Sequence, residues 1–369
     1  MSSLVGQSPR VAMVTPYYRP IIGGITTFVE GLSATLEARG VEVRIWTQHG
    51  APGRSIEKGP EDPVRFILWA RRRLREWKPD AIHAHAHWYT LAAGTSLRGP
   101  LASRIVFTIH TDLEPSANPF KEWMLHRTLH RSDVVTCLGA GSMERFRARF
   151  PLVQTVRLLS PGVRRLASDP ESVARARRTL GIEDSAILLC SLSMMVWPRK
   201  VRGLSVLLAA MPIIFNRFPN AVLVIVGDGP YRSRLEEQAR TLGIEKAARF
   251  VGAQDNPGPY ISASSLFVYC SYRDVFPQAL LEALSLGVPV VANEEVASNL
   301  PIDPIEMGVV SVRGTEAAIA ESVVSLLEDA NRRRELGARG QSVVRSRYSW
   351  ENVADQAMAL YGLPSRQAR

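Results

Sequence analysis

The chain has 369 residues, 46% of them hydrophobic and 22% charged, with a formal net charge of +10. These proportions exclude a disordered chain, and at ~150 residues per domain the length accommodates two or three domains. The cations are 40 arginines and five lysines; such an excess points to an anionic partner such as a nucleotide phosphate or an acidic lipid surface, although codon composition also produces arginine bias.

Short apolar strands alternate with amphipathic helices from the start. Residues 11–15 read as a buried strand, residues 26–39 as a helix stopped by Gly40, and residues 41–47 as the next strand. Residues 80–85, 105–109, 134–137 and 156–159 continue the strand series. Ser160, Pro161 and Gly162 then break the rhythm, and a polar, basic stretch runs to about residue 172. The series restarts at 186–191 and continues at 221–226, 249–251, 266–270 and 289–292, with a last helix over about 350–360. Strand–helix alternation of this kind builds a parallel sheet covered on both faces. Two doubly wound domains are expected, joined near residues 163–172; the family resemblance described below implies bounds of 1–165 rejoined by 350–369, and 166–349. In such sheets ligands bind beyond the carboxyl ends of the strands, so each site residue should follow a strand.

The three cysteines, Cys137, Cys190 and Cys270, form no CxxC pair. A disulfide scaffold and a zinc ribbon are thereby excluded, and a reducing cytosol is the expected compartment. No apolar run reaches the ~20 residues of a membrane span. Residues 1–10 lack a signal-peptide core. The chain is expected to remain in the cytoplasm without crossing a bilayer.

The first strand leads into Pro16-Tyr17-Tyr18-Arg19-Pro20-Ile21-Ile22-Gly23-Gly24 and then a helix. Gly23 and Gly24 let backbone approach an anion closely, and the helix start offers free N–H groups and a positive dipole end. A diphosphate is the functional reading of this turn; an ordinary strand-to-helix connection is the plain one. It is neither GxGxxG nor GxxxxGK[ST], so nothing points to NAD or ATP. A denser constellation occupies residues 271–289. Asp274 lies in a loop after a strand, Pro277 sits at a first helical position, and Glu282 lies about one and a half turns into the helix that Gly287 closes. Amides around Phe276, Pro277 and Gln278 would face an anion or sugar hydroxyls. Asp274 and Glu282 could each accept two hydrogen bonds from a sugar or a ribose.

This segment resembles the E-x7-E region of retaining family 4 glycosyltransferases, which have the GT-B fold of two Rossmann-like domains facing a central cleft. Asp274 replaces the usual first glutamate, one methylene longer, whereas Glu282, Gly287, Pro289, Val290 and Val291 match. The resemblance extends through Pro79-Asp80 with His83 and His85, Thr108-Ile109-His110-Thr111, Ser160-Pro161-Gly162-Val163, Val226-Gly227-Asp228-Gly229-Pro230 and Tyr348-Ser349-Trp350. The donor-phosphate segment departs from the pattern. The early arginine is missing at Ser193-Met194, and either Lys200 or Arg202 could take the role of the usual lysine, Arg202 keeping register with Gly203.

The resemblance implies retaining transfer of a hexosyl group from a UDP- or GDP-sugar to a lipid-linked, small-molecule or glycan acceptor. Asp274 would hold the donor sugar, Glu282 the ribose, and His110 would orient the sugar. Gly23, Gly24, Lys200, Arg202, Gly229, Phe276, Pro277 and Gln278 would complete the donor site. The donor nucleotide sugar is expected to be the sole small-molecule requirement, with no cofactor and no metal. His83, His85 and His87 alternate and would share one face of a strand. Two arginine-and-aromatic stretches, 66–77 and 120–131, would either cover the sheet or touch an anionic membrane surface. A catalytically silent GT-B subunit that activates a partner enzyme is the alternative; no nucleic-acid-binding module is visible.

Overall fold

The computed structural model describes residues 8–21, 23–183, 185–272, 274–276 and 278–364. The chain forms two compact units, Met1–Gly162 with Ser349–Arg369, and Val163–Tyr348. The cut therefore falls inside the Ser160–Val163 motif rather than after it.

The first unit runs β1 (Arg10–Tyr17), α1 (Gly24–Ala38), β2 (Glu42–His49), β3 (Ile56–Lys58), α2 (Pro63–Trp77), β4 (Ala81–His85), α3 (Trp88–Thr95), β5 (Arg104–Ile109), α4 (Pro119–Leu129), β6 (Val134–Cys137), α5 (Ala140–Arg149) and β7 (Val156–Leu158). Its seven strands stand in the order β3-β2-β1-β4-β5-β6-β7, all in parallel register. The central strands β4 and β6 are buried along their whole length. Burial on both faces leaves no solvent-facing position in either, so their polar side chains, His83, His85 and Thr136, lie in the interior. Helix starts follow local chemistry: Asp62 accepts from the Arg65 amide with Pro63 at the first turn of α2, and Asn118 caps α4 ahead of Pro119.

The second unit runs α6 (Pro170–Thr179), β8 (Ile187–Leu192), α7 (Pro198–Arg217), β9 (Ala221–Val226), α8 (Arg232–Thr241), β10 (Ala248–Phe250), α9 (Gly258–Ser262), β11 (Leu266–Tyr269), α10 (Gln278–Ser285), β12 (Val290–Asn293), α11 (Glu294–Ala297), a short 3-10 turn (Pro304–Met307), β13 (Val309–Val312), α12 (Glu316–Glu328) and α13 (Ala330–Arg347). The order is β10-β9-β8-β11-β12-β13, again parallel. The core beneath α7 gathers Leu204, Leu207, Leu208, Met211 and Ile214 against Leu189, Leu223, Ile225 and Val268.

The last helix, α14 (Trp350–Tyr361), belongs to the first unit. Its Trp350 indole fills a notch made by two glycines: a Cβ would lie 2.2 Å from the ring at Gly31 and 2.4 Å at Gly162. Arg39 bonds Asp355 at 2.5 Å and the Glu351 carbonyl at 2.7 Å, and Arg104 reaches the Leu360 carbonyl at 3.0 Å. Sequence reading missed β3 and β13. β3 is a three-residue edge strand with no buried position, so no hydrophobic pattern marks it; β13 is an edge strand with one buried residue.

Candidate functional site

A polar cluster of the second unit lies where β8, β9 and β11 end, where the ligand rule for open parallel sheets places a site. The loop after β8 is stitched to the turn after β9 by Ser193 N–H to Val226 O (3.0 Å), Met195 N–H to Asp228 O (2.9 Å) and Tyr231 N–H to Met195 O (3.2 Å). Glycine permits this. A Cβ at Gly227 (φ +134°) would stand 2.1 Å from the Ser193 carbonyl oxygen, and at Gly229 (φ +153°) 2.5 Å from the Met195 backbone. The Gly229 N–H donates to the Asp228 carboxylate at 2.8 Å. The short reach from Asp228 to the next amide satisfies it locally.

α7 enters this region with Pro198 in its first turn and presses Gly203 onto the end of β11: a Cβ there would lie 1.8 Å from the Cys270 carbonyl oxygen. Lys200, about one turn earlier, then meets the loop after β11, its Nζ 3.6 Å from Asp274 Oδ2. The same oxygen accepts the Tyr269 hydroxyl at 2.6 Å. Asn299 fixes the backbone below by donating to the Asp274 carbonyl at 2.7 Å and the Glu295 carbonyl at 2.9 Å. Burial, reinforced by the Asp274 carboxylate, holds the Tyr269 phenol protonated well above its ordinary range.

Arg202 points elsewhere. Its guanidinium stacks 4.1 Å from the centre of the Tyr272 ring, whose hydroxyl donates to the Gly314 carbonyl at 3.0 Å. Of the two cations left open by sequence, Lys200 is therefore the one beside Asp274, because the helix turns Arg202 to a different side. Glu282, in the middle of α10, is 8% exposed. Arg164 Nε lies 3.6 Å from its Oε1. Burial raises the Glu282 carboxyl above the ordinary range, and Arg164 opposes that rise. Gln278 opens α10 half-buried. Phe276 is buried with its ring centre 5.8 Å from that of Tyr348, so its side chain serves packing. Pro277 lies outside the described residues. Tyr269, Tyr272, Asn299 and Arg164 escaped sequence reading. The two tyrosines look like strand apolars, Asn299 sits in a loop, and Arg164 looks like one more linker arginine.

In the first unit, Gly23 and Gly24 begin α1, whose N-terminus has no side-chain cap. Nothing lies within 4 Å of a Cβ built at either position. No packing within the described chain demands glycine there.

A histidine cluster occupies the ends of β4 and β5. The rings of His83 and His85 lie against each other, centres 4.2 Å apart and planes tilted by 34°. His110, just past β5, places Nε2 3.1 Å from His85 Nδ1. His83 bonds the Tyr361 hydroxyl of α14 (2.6 Å) and Thr108 Oγ1 (2.5 Å), which in turn bonds Thr136 Oγ1 at 2.6 Å. Phe28 of α1 contacts all three rings. Desolvation pushes His83 and His110 down to about 3 and His85 well below its usual value. The expected alternation fails at His87. Ala86 adopts a left-handed φ of 67°, β4 ends, and His87 turns away to stack on Tyr89, ring centres 5.2 Å apart.

Against known proteins, residues 177–343 match the family described as glycosyl transferases group 1, and residues 22–165 match glycosyltransferase family 4. The chain is 33% identical over 281 residues to a GDP-mannose-dependent alpha-(1-6)-phosphatidylinositol monomannoside mannosyltransferase of Mycolicibacterium smegmatis, covering 71% of this chain and 72% of that one. It is 28% identical to a phosphatidyl-myo-inositol mannosyltransferase of Mycobacterium tuberculosis, covering 95% of this chain and 96% of that one. Among solved structures, HepE of Anabaena in complex with UDP superposes with a TM-score of 0.79 at 17% identity, over 96% of this chain and 100% of that one. Sucrose-phosphate synthase of Thermosynechococcus elongatus superposes with a TM-score of 0.77 at 21% identity, over 96% and 98%.

Proposed function

Because the chain belongs to the group 1 glycosyltransferases and has their GT-B fold, we propose that it moves a hexosyl group from a nucleotide-diphosphate sugar to a lipid-linked acceptor with retention at the anomeric carbon. The observation that carries the donor half is the pairing of Lys200 with Asp274 at the carboxyl end of β11, a cation beside a hydroxyl acceptor where a sugar diphosphate needs both. The activities by which the mycobacterial relatives are named favour GDP-mannose as donor and an inositol phospholipid as acceptor.

In this reading charge builds on the leaving diphosphate as the anomeric bond breaks. Lys200 leaves Asp274 for that phosphate and neutralises it, with Arg202 as a further cation. Asp274, freed of Lys200 but still oriented by Tyr269, accepts from hydroxyls of the transferred sugar. Glu282 accepts from the ribose hydroxyls, and its burial strengthens those bonds by excluding water. The Gly23–Gly24 turn offers helix-start amides to an anion, Gln278 contributes at the start of α10, and His110 orients the sugar. Retention follows from front-face attack. The acceptor oxygen bonds the anomeric carbon on the side the diphosphate leaves, and the acceptor proton passes to the departing phosphate oxygen. No cofactor takes part.

Contact with the lipid is assigned to the exposed faces of α2 and α4. Val64 and Leu68 are exposed beside Arg65, Arg72 and Arg75, as are Phe120 and Trp123 beside Lys121 and Arg127. Apolar side chains flanked by arginine suit an anionic leaflet, here the cytoplasmic one. Among the described residues no helix is long and apolar enough to cross a membrane.

The test is a transfer assay with GDP-mannose, UDP-glucose and ADP-glucose, using phosphatidylinositol in vesicles as acceptor. The expected result is mannosyl transfer from GDP-mannose, with an alpha linkage in the product. Failure to bind any of the three donors, or a beta product, refutes the proposal. Flotation with phosphatidylglycerol vesicles tests the membrane faces: Leu68→Glu with Trp123→Ala should abolish flotation and leave GDP-mannose binding intact.

A further inference from the structure

Glu282 is the single charged residue of α10 and is buried among leucines and alanines of the same helix. The elements that pack most closely against α10 are α9, β11, β12 and α13. β12 carries no ionisable side chain, and α9 brings only Tyr260. The Tyr269 hydroxyl of β11 is committed to Asp274. α13 meets the last turn of α10 and the turn after it through Gly337, Gly340 and Gln341, none of them charged. Among the described residues, the charge that reaches the Glu282 carboxylate is therefore that of Arg164.

Arg164 lies on a strap whose backbone is tied down on both sides within the second unit. The Val163 N–H donates to the Tyr348 carbonyl at 2.8 Å, Asn256 Nδ2 donates to the Ala167 carbonyl at 2.8 Å, and the Ser168 and Ser262 hydroxyls bond at 2.6 Å. Gly258, at the start of α9, brings the strap close: a Cβ there would lie 2.6 Å from the Ala167 carbonyl oxygen. The half-exposed guanidinium approaches Glu282 side-on, with Nε 3.6 Å from Oε1. That distance is beyond hydrogen-bond reach but well inside Coulomb range. The arginine supplies charge without occupying the acceptor positions of the carboxylate, and it keeps that charge throughout the pH range in which a carboxyl titrates.

We propose that Arg164 is a positioning residue of the donor site, its guanidinium keeping the buried Glu282 carboxylate ionised while leaving both oxygens open to hydroxyl donors. That these hydroxyls belong to the ribose rests on the reading of Glu282 given above. A carboxylate accepts at both oxygens, as a vicinal diol requires, whereas a protonated carboxyl turns one oxygen into a donor. Burial by itself favours the protonated form, and a cation at this distance opposes it. A half-exposed pair gives a modest opposing effect, so Arg164 sets the pH at which the acceptor is lost rather than creating the acceptor.

The experiment measures GDP-mannose affinity by calorimetry from acid to alkaline pH in the parent, Arg164→Gln and Arg164→Lys. Removing the charge should move the acid loss of affinity to higher pH. On that limb Arg164→Gln should bind about fivefold more weakly than the parent, with alkaline affinity within about twofold. Arg164→Lys should follow the parent. With Glu282→Gln in place, Arg164→Gln should make no pH-dependent difference, whereas a purely structural role would persist there. Coincident pH profiles overturn the inference. Equal weakening at every pH overturns it too, since Arg164 would then touch the donor itself. Carbon-13 NMR of the glutamate carboxyls reads the pair without a donor, the Glu282 signal being the one lost in Glu282→Gln. Its titration should move to higher pH in Arg164→Gln, and an unmoved titration overturns the inference. If it moves while the parent binds no GDP-mannose, the ion pair stands and the ribose reading falls.

Discussion

Gly203→Ala separates helix propensity from tertiary contact. Within an isolated helix the change is favourable by about 1 kcal/mol, since alanine has the best helix propensity and glycine nearly the worst. In this protein the new Cβ would stand 1.8 Å from the Cys270 carbonyl oxygen, about 1.6 Å short of the 3.4 Å at which ordinary contact begins. The obstructing atoms are backbone of β11 and its exit, flanked by Tyr269 and by the Ser271 backbone, which is bonded on both sides to the Asn293 side chain at 3.0 and 2.9 Å. No rotamer change relieves such a clash, so α7 must lift away from the sheet. Overpacking of this kind costs about 3 kcal/mol. With propensity returned, the net loss is about 2 kcal/mol, or about 4–8 °C in the Tm of a unit this size. Lifting α7 also carries Lys200 away from Asp274, so the KM for GDP-mannose should rise about tenfold as a charge-assisted contact to the diphosphate is lost. Thermal melting followed by circular dichroism and donor-saturation kinetics measure the two effects. A variant that melts at or above the parent temperature, with unchanged KM, would refute the claim that this close approach positions Lys200.

Two further outcomes are expected. Burial raises the Glu282 carboxyl above the ordinary 4.5 of glutamate, so the stability its protonated form contributes is complete below that value and is lost as pH rises through the raised one. Glu282→Gln should therefore melt higher than the parent above neutrality and converge with it in acid, while binding GDP-mannose about tenfold more weakly; parallel melting curves across the pH range would contradict the assignment. Lys200→Ala should raise the donor KM about tenfold and Arg202→Ala only about twofold, because Arg202 stacks on Tyr272 rather than facing Asp274; the opposite ranking in steady-state kinetics would return the phosphate role to Arg202.

Local chemistry in the chain determined the sequence of elements. Ala221–Val226 is a strand over the residues its apolar run marks out, because near-complete burial leaves no polar interruption to blur the ends. Proline and the capping aspartate or asparagine at Asp62, Asn118 and Asp169 fix helix starts within a few residues. The family resemblance was legible for the same reason: the motif from Asp274 to Val291 is one contiguous stretch. Tertiary structure decided which side chains meet. Lys200 reaches Asp274 because Gly203 lets α7 approach Cys270, a contact between positions 67 apart in the chain. Tyr269 orients Asp274 only because the loop after β11 folds back over its own strand. Ala86, one left-handed residue, removes His87 from the face that strand alternation gives it, while β5 delivers His110 to His85 from 25 residues away. Periodicity along a chain records burial, which each residue experiences in its own element. Pairing across elements depends on distances and rotamers that many remote residues set together, and no short stretch of sequence contains them.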